Sequence, residues 1–530
     1  MPIPRWKTSA SAIALWLAGG RVPISAAHEG VAFGRGESAV DIDTCVPLRW
    51  PCGPLEIERG KRREGFTARE SDVLREWSDP RVLELLAGTL VNCLVVTWAE
   101  GSSGDEGHQR ALAPLIAGAH RLGLSVVGWV AGVADLRRAA SAARASGLAA
   151  VATDSREPLA GFDVLRFCRR GFGDLSPSGF LGDLDAVWPG MRPLKLARGV
   201  DAVSGATARP WIDSNAWYVR LARSLLEPKV LWLSFDPPDT GQPVPADSYL
   251  QAIADTEVGG ARWVVSLDRA LRVGLSEGRQ PARDAWAAIS RGLAFFRKHS
   301  AWAGYLPVGQ IGVVSDYAGT DEPLAFEVLN LLARQNSLYR ILEKRRVQEE
   351  SLDGLDAVLY VDEAPPARSL LGGLYAFAER GGTLITPPGW ETRGVPDEGV
   401  MNPRFRVFRY GRGRLAVAHE DLSAPDLVAE DAQLLTSYRR DRVRVFNLGV
   451  GQLHYAASGD GRAGVLHALH FPTPYPPMTL TVWFQRPWAM ARGWTVGAVD
   501  ATPAARTLVE GGVEFHLPPV PVYCAVEVSG

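Results

Sequence analysis

Four strand-like runs of this chain end in aspartate: "AAVATD" at Asp154, "RPWID" at Asp213, "VLWLSFD" at Asp236 and "RWVVSLD" at Asp268. A fifth, "NCLVVTW", is followed by Glu100. Carboxylates gathered at strand ends can divide acid–base work, because crowding pushes their pKa values apart and keeps one protonated near neutrality. Hydrolysis of a glycosidic bond needs such a pair: one acid for the leaving oxygen, one ionised base or nucleophile. Each aspartate also has a structural reading as a helix N-cap, whose oxygen accepts an orphan N–H of the first turn. That reading is weakest for Asp236, since Pro237 disfavours the helical region for the residue before it. Asp213 and Asp236 are therefore the expected catalytic pair, with Asp154 and Asp268 in reserve.

Tryptophan lies in or near the same strand ends. The chain has 17, and an indole offers an apolar face plus one N–H, which suits the C–H face and polar rim of a sugar. Trp98, Trp129, Trp211, Trp217 and Trp232 are the expected sugar contacts. Asn215 joins them because its amide both donates and accepts. Core packing is the competing reading for each indole.

The elements that must position these groups follow from the apolar pattern. Residues 45–300 alternate short β-branched runs with helical spacing, which predicts a parallel sheet covered by helices. Some 250 residues with seven or eight such units match a (β/α)8 TIM-like barrel, whose reacting side chains gather at the C-terminal strand ends. An open doubly wound sheet is the alternative, but no GxGxxG or Walker A motif supports a nucleotide-binding version. Residues 308–420 ("GQIGVVSD", "LDAVLYVD", "TLITPPG") read as a smaller α/β layer of the flavodoxin or amidotransferase type. That segment contains no cysteine nucleophile, so it is expected to be non-catalytic. Residues 438–530 carry short, partly alternating strands, the pattern of an antiparallel β-sandwich. His467 and His470 lie three apart in one such strand and face opposite sides, so no shared metal is expected there.

Composition sets the outer bounds. The chain has 530 residues, 46% hydrophobic and 22% charged, with a formal net charge of -2. This argues against a nucleic-acid or anionic-membrane surface as the main partner, while leaving room for a local basic groove. No apolar run is long enough for a membrane span. The five cysteines show no metal spacing. No cofactor motif appears, and no EF-hand pattern accompanies the carboxylates. Residues 1–28, with Arg5 and Lys7 before a short apolar stretch, read as a signal peptide and imply export to the periplasm or beyond. Without cleavage and export the protein is cytoplasmic.

A barrel, then a flavodoxin-like domain, then a small β-domain resembles the layout of the beta-galactosidases of glycoside hydrolase family 42. "GVLHALHF" (464–471) resembles a strand of the β-domain that closes many barrel glycosidases, and "GVEFHLPPVPVYCAVEV" (512–528) resembles its final hairpin. "WPG" (188–190) and "ATARPWIDSNAW" (206–217) look like a motif of uncharacterised bacterial relatives. The resemblance implies a carbohydrate substrate and a middle domain that assembles a homodimer or homotrimer. It carries over no catalytic residue: the family's Asn-Glu pair is absent, and "LWLSFDPP" has aspartate where a glutamate belongs. The expected function is glycoside hydrolysis by carboxylates at the barrel mouth. The alternative is a non-catalytic carbohydrate-binding or assembly protein on a degenerate barrel.

Overall fold

The computed structural model describes residues 42–133, 135–155, 157, 159, 163–168, 180–183, 186–192, 194–195, 201–202, 211–226, 230–436, 440–471, 478–498 and 500–530. The segment read as a signal peptide lies outside them. No described helix is long and apolar enough to cross a membrane.

Eight parallel strands close a barrel: β1 (Pro47–Arg49), β2 (Cys93–Ala99), β3 (Ser125–Val130), β4 (Ala150–Thr153), β5 (Asp163–Cys168), β6 (Phe180–Asp183), β7 (Val230–Ser234) and β8 (Arg262–Ser266). Each pairs with its successor, and β8 returns to β1 through Leu48 opposite Val265. Strand periodicity sorts the side chains. On β2, Leu94, Val96 and Trp98 join the core under the helices, while Cys93 and Val95 join the barrel interior. The interior matches small against large: Ala150 and Ala152 of β4 leave room for Trp232 and Phe167. Gly182 of β6 does the same, since a Cβ there would stand 2.4 Å from the Phe167 ring. Below, Arg262 donates to the carbonyls of Ile42 (3.3 Å) and Asp43, so the turn Ile42–Thr44 caps the N-terminal end.

Helices α1 (Gly53–Lys61) and α2 (Ala68–Glu76) follow β1. Helix α3 (Asp105–Arg121) follows β2 and α4 (Leu136–Ala145) follows β3. The strand expected at "RPWID" is not a barrel strand. Trp211–Asp213 pairs antiparallel with Gly190–Arg192 in a separate two-stranded sheet. The barrel instead uses the short β1 and β6. Helix α5 (Ala216–Leu226) follows the strand Trp211–Asp213, α6 (Ala246–Glu257) follows β7, and α7 (Arg269–Ser276) with α8 (Gln280–Lys298) follows β8.

The middle sheet contains β9 (Ile311–Ser315), β10 (Tyr339–Glu343), β11 (Ala357–Tyr360), β12 (Thr383–Thr386), β13 (Val395–Pro396), β14 (Phe405–Tyr410) and β15 (Gly413–Ala418). Their order is β10-β9-β11-β12-β15-β14-β13, with the last two pairings antiparallel. One face shares the apolar core that continues under the barrel helices, and the other packs on its own cluster around Leu374, Phe377 and Trp390. Helix α5 joins barrel to sheet: Arg220 donates to the Tyr339 carbonyl (2.5 Å) and lies 4.3 Å from that ring.

The C-terminal strands form two antiparallel sheets, one around Ala463–His470 and Tyr523–Ser529, the other around Leu480–Phe484 and Gly512–Leu517. Tyr455, Leu466, Phe484, Phe515 and Val526 fill the space between. Gln251 of α6 donates to the His470 carbonyl (2.8 Å), and Gln452 donates to the Ser214 hydroxyl (3.0 Å), which fixes this layer to the barrel.

Candidate active site at the barrel mouth

Helix α1 brings the first functional group to the mouth. Its opening residue, Gly53, has φ +83°, and a Cβ there would meet the His108 ring at 2.9 Å. Only glycine combines that conformation with that approach. The turn it makes swings α1 back across the ends of β1 and β2 and places Glu56 over them. Glu56 is buried, and one oxygen accepts from Arg49 (2.8 Å), Arg59 (3.0 Å) and the Thr97 hydroxyl. Arg49 also donates to Thr97 (2.7 Å), and Arg59 reaches Glu100. Burial alone would raise the Glu56 carboxyl. The charges of Arg49 and Arg59 and the Thr97 bond outweigh it and hold the pKa below the usual value, so Glu56 is ionised at neutral pH.

His108 holds this corner from beneath. Its Nδ1 accepts from the Leu55 N–H (3.3 Å) and its Nε2–H donates to the Thr97 carbonyl (2.9 Å). The accepting role of Nδ1 needs the neutral ring, and burial lowers its pKa accordingly.

Asp236 stands at the end of β7, exposed, with its Oδ1 accepting from the Ser266 hydroxyl at 2.8 Å. It lines two adjoining hollows of about 420 and 480 Å³, which share Arg49, Arg59 and Arg63. The second has an aromatic floor. Trp129 meets Phe167 edge to face at 5.2 Å, and Phe235 stands 40% exposed beside them. Asp236 adds its charge to those of Glu56 and Glu100 around Arg59. Together they hold that guanidinium pKa up although burial opposes it. The arrangement offers one accessible carboxylate, one ionised buried carboxylate, donors for oxygen atoms and flat apolar rings.

The remaining expectations divide sharply. Asp268 is corrected from reserve acid to helix cap. It is buried, accepts from the Leu271 N–H (2.8 Å) at the start of α7, and its other oxygen accepts from the Val244 N–H (3.1 Å) and the Tyr249 hydroxyl (2.9 Å). Asp213 lies in the separate two-stranded sheet, away from the mouth, and its charge is felt by Arg334 of helix Glu322–Arg334 in the middle layer. Asn215 is buried and structural. It accepts from the Val187 N–H (2.8 Å), donates to the Val187 carbonyl (2.8 Å), and donates to the Asp255 carboxylate. Trp98 is fully buried on the outer face of β2 and donates to the Ala139 carbonyl (3.1 Å). Trp217 is buried against Phe326 and donates to the Ser214 carbonyl (3.1 Å). Trp232 is fully buried inside the barrel, below the mouth. These four are core or bracing residues, not sugar contacts. Asp154 lies exposed just past β4 and does not line the Asp236 hollows. The Trp211 side chain lies outside the described ones. Of the named set, Asp236, Trp129 and Asp268 line the mouth, Asp268 with both oxygens already engaged.

The groups missed are Arg49, Glu56, Arg59, Arg63, Arg269 and Arg272. A usable signal is present: "RWPCGPLEIERGKRREGF", from the end of the first strand through α1, and "DRALR" directly after the last strand, two stretches that barrel closure makes neighbours.

No family model and no curated protein matches this chain. Among solved structures it is similar to alpha-L-fucosidase isoenzyme 2 from Paenibacillus thiaminolyticus, with a TM-score of 0.56 at 11% identity over 92% of this chain and 99% of that one. It is also similar to a beta-galactosidase from Bacillus circulans sp. alkalophilus, with TM-score 0.40, 10% identity, and 88% and 83% coverage. A GH42 beta-galactosidase from G. stearothermophilus gives 0.37, 10%, and 81% and 68%. The likeness to the fucosidase is one of fold along nearly the whole of both chains.

Proposed function

We propose that this chain hydrolyses a glycosidic bond at the C-terminal mouth of its barrel, with Asp236 and Glu56 as the reacting carboxylates. The observation that carries this is the position of Asp236: an accessible carboxylate above a floor of Trp129 and Phe167, where barrel enzymes hold their reacting groups. Glu56 supplies the ionised member, because two arginines and Thr97 stabilise its charge. The aromatic floor supports one face of a sugar ring, and the Arg49–Glu56–Thr97 network orients its hydroxyls. A fold shared with a protein named as a fucosidase is in keeping with this reading.

The test is turnover of a panel of 4-nitrophenyl glycosides and oligosaccharides by the full chain, with Asp236→Asn and Glu56→Gln beside it. Each variant should lose about 100-fold or more of kcat, the scale of a missing general acid, base or nucleophile. Full turnover in both variants would remove these residues from the chemistry. Binding of a sugar with no turnover of any panel member would favour the carbohydrate-binding protein instead.

A further inference from the structure

The arginines around the mouth are not equally occupied. Arg269 is bound by Glu70 (3.1 Å) and Asp239 (2.7 Å), and Arg69 by Glu76 (2.6 Å) and Glu277 (3.1 Å). Arg49 and Arg59 are bound by Glu56. Among the described residues, Arg63 and Arg272 form no ion pair within 4 Å and donate no side-chain hydrogen bond, yet both line the same hollow as Asp236.

Arg272 is half-buried on α7, and burial pulls its pKa down. Glu56, Asp236 and Asp268 lie near enough to offset part of that cost, and Arg63 near enough to add to it by repulsion. None of the three carboxylates comes within 4 Å of the Arg272 guanidinium, and their bonds go to other groups. Glu56 holds Arg49, Arg59 and Thr97; Asp268 holds Leu271, Val244 and Tyr249; Asp236 holds Ser266. Two like charges thus border one open hollow, one half-buried and one exposed, and neither has its side-chain N–H groups matched within the described protein. An oxyanion placed between two such guanidinium groups receives charge-assisted, often bidentate bonds from them.

We propose that the sugar bound at this mouth is anionic, bearing a carboxylate or a sulfate that Arg272 and Arg63 receive while its ring lies on the Trp129 floor. This rests on the carbohydrate reading above but not on hydrolysis. Arg272 acts from inside the hollow and Arg63 from its exposed rim. The charge sits on a part of the ligand away from the bond that reacts, so Asp236 remains free for the chemistry.

The experiment is isothermal titration of the full chain with three probes: galactotriose, trigalacturonate and galactotriose 6-sulfate. At least one charged probe should bind about tenfold or more tightly than galactotriose at low salt. The advantage should shrink as salt rises from about 50 to about 500 mM, because the rim charge is screened. Arg63→Gln, a change at an exposed position, should remove part of the advantage, and Arg272→Gln the rest; Arg272→Lys controls for folding by keeping the charge. The better of the two charged probes identifies the anion. Equal affinity for neutral and charged probes, a charge preference unaltered in Arg63→Gln and Arg272→Gln, or binding of none of the three overturns the inference. Asp236→Asn separates it from the proposed function. A preference for anionic sugar kept in wild type and variant, with no bond cleaved by either, leaves this inference standing and removes hydrolysis.

Discussion

The Ser266 hydroxyl donates to Asp236 Oδ1 over 2.8 Å, which ties the end of β8 to the carboxylate at the end of β7. Ser266 is therefore a positioning residue: it fixes a rotamer of Asp236 in an otherwise open mouth. Ser266→Ala should lower kcat about tenfold, the worth of one bond to a charged group. KM should stay close to wild type, because the serine need not touch the sugar. Ser266→Thr, which keeps the hydroxyl, should restore most of the rate. A change confined to KM, with no rescue by threonine, would place Ser266 in sugar binding instead.

Asp268 gives the contrasting case. Its two oxygens satisfy the first turn of α7, a loop N–H and a buried phenol. Burial and the nearby Asp268 charge push the Tyr249 phenol well above its ordinary pKa, so it stays a donor throughout the accessible range. Asp268→Ala loses the cap and leaves two buried donors unmatched. The expected cost is about 2–4 kcal/mol of stability, the sum of a lost cap and the orphaned groups. Urea unfolding checks this. An Asp268→Ala protein as stable as wild type but without turnover would return Asp268 to the chemistry.

Trp98 and Trp129 lie close together in adjacent strands and face opposite sides of the barrel wall. Trp98→Ala removes a fully buried indole and should cost about 3–5 kcal/mol. Trp129→Ala opens the floor of the mouth, where the indole is only half-buried. It should unfold near the wild-type urea midpoint while KM for an oligosaccharide rises about tenfold, the worth of one stacking contact. The reverse pattern in the two variants would exchange their roles.

Those contrasts show how far the sequence could be read. The alternation of β-branched runs with helical spacing is a local property, so the barrel, the middle α/β layer and the antiparallel strands were all legible in it. β1 and β6, three and four residues long and without a flanking apolar run, carry no period long enough to recognise, whereas "RPWID" has strand-like composition but no place in the barrel. An aspartate after a strand is ambiguous by nature, because capping and catalysis ask for the same residue at the same spot. Proline decided the case of Asp236, whereas nothing local could reveal that Tyr249 and Val244 would occupy Asp268. The arginines are visible as basic clusters, but their convergence is not. Arg49, Arg59 and Arg272 become neighbours only through the β1–β8 closure, which joins residues more than 200 positions apart. The tryptophan–asparagine cluster at 211–217 looked like a cup because its composition suits sugars. Its partners, Asp255 and Phe326, lie in other elements and turn it into a brace between layers.

That brace carries the last prediction. Asp255 of α6 is fully buried and accepts from the Asn215 N–H (2.5 Å), the Asn215 side-chain amide (3.0 Å) and the Ala216 N–H (3.3 Å). Desolvation outweighs these bonds and raises its carboxyl from 3.8 to about 7. A carboxyl whose folded pKa exceeds its unfolded one binds its proton more tightly when folded. Its contribution to stability is therefore greatest below about pH 4 and declines as pH rises through the interval. Above about pH 7 it is constant. The slope for one such group approaches about 1.4 kcal/mol per pH unit. Asp255→Asn keeps the shape and an acceptor for Asn215 but cannot titrate. Urea unfolding of both proteins from pH 4.5 to 8.5 cancels every other titrating group in the difference. Wild type should lose stability relative to Asp255→Asn by a few kcal/mol between pH 4.5 and 7 and then run parallel to it. A difference that stays flat across the range would mean that the three N–H donors hold Asp255 ionised, and that the brace between barrel and β-layers is a charged one.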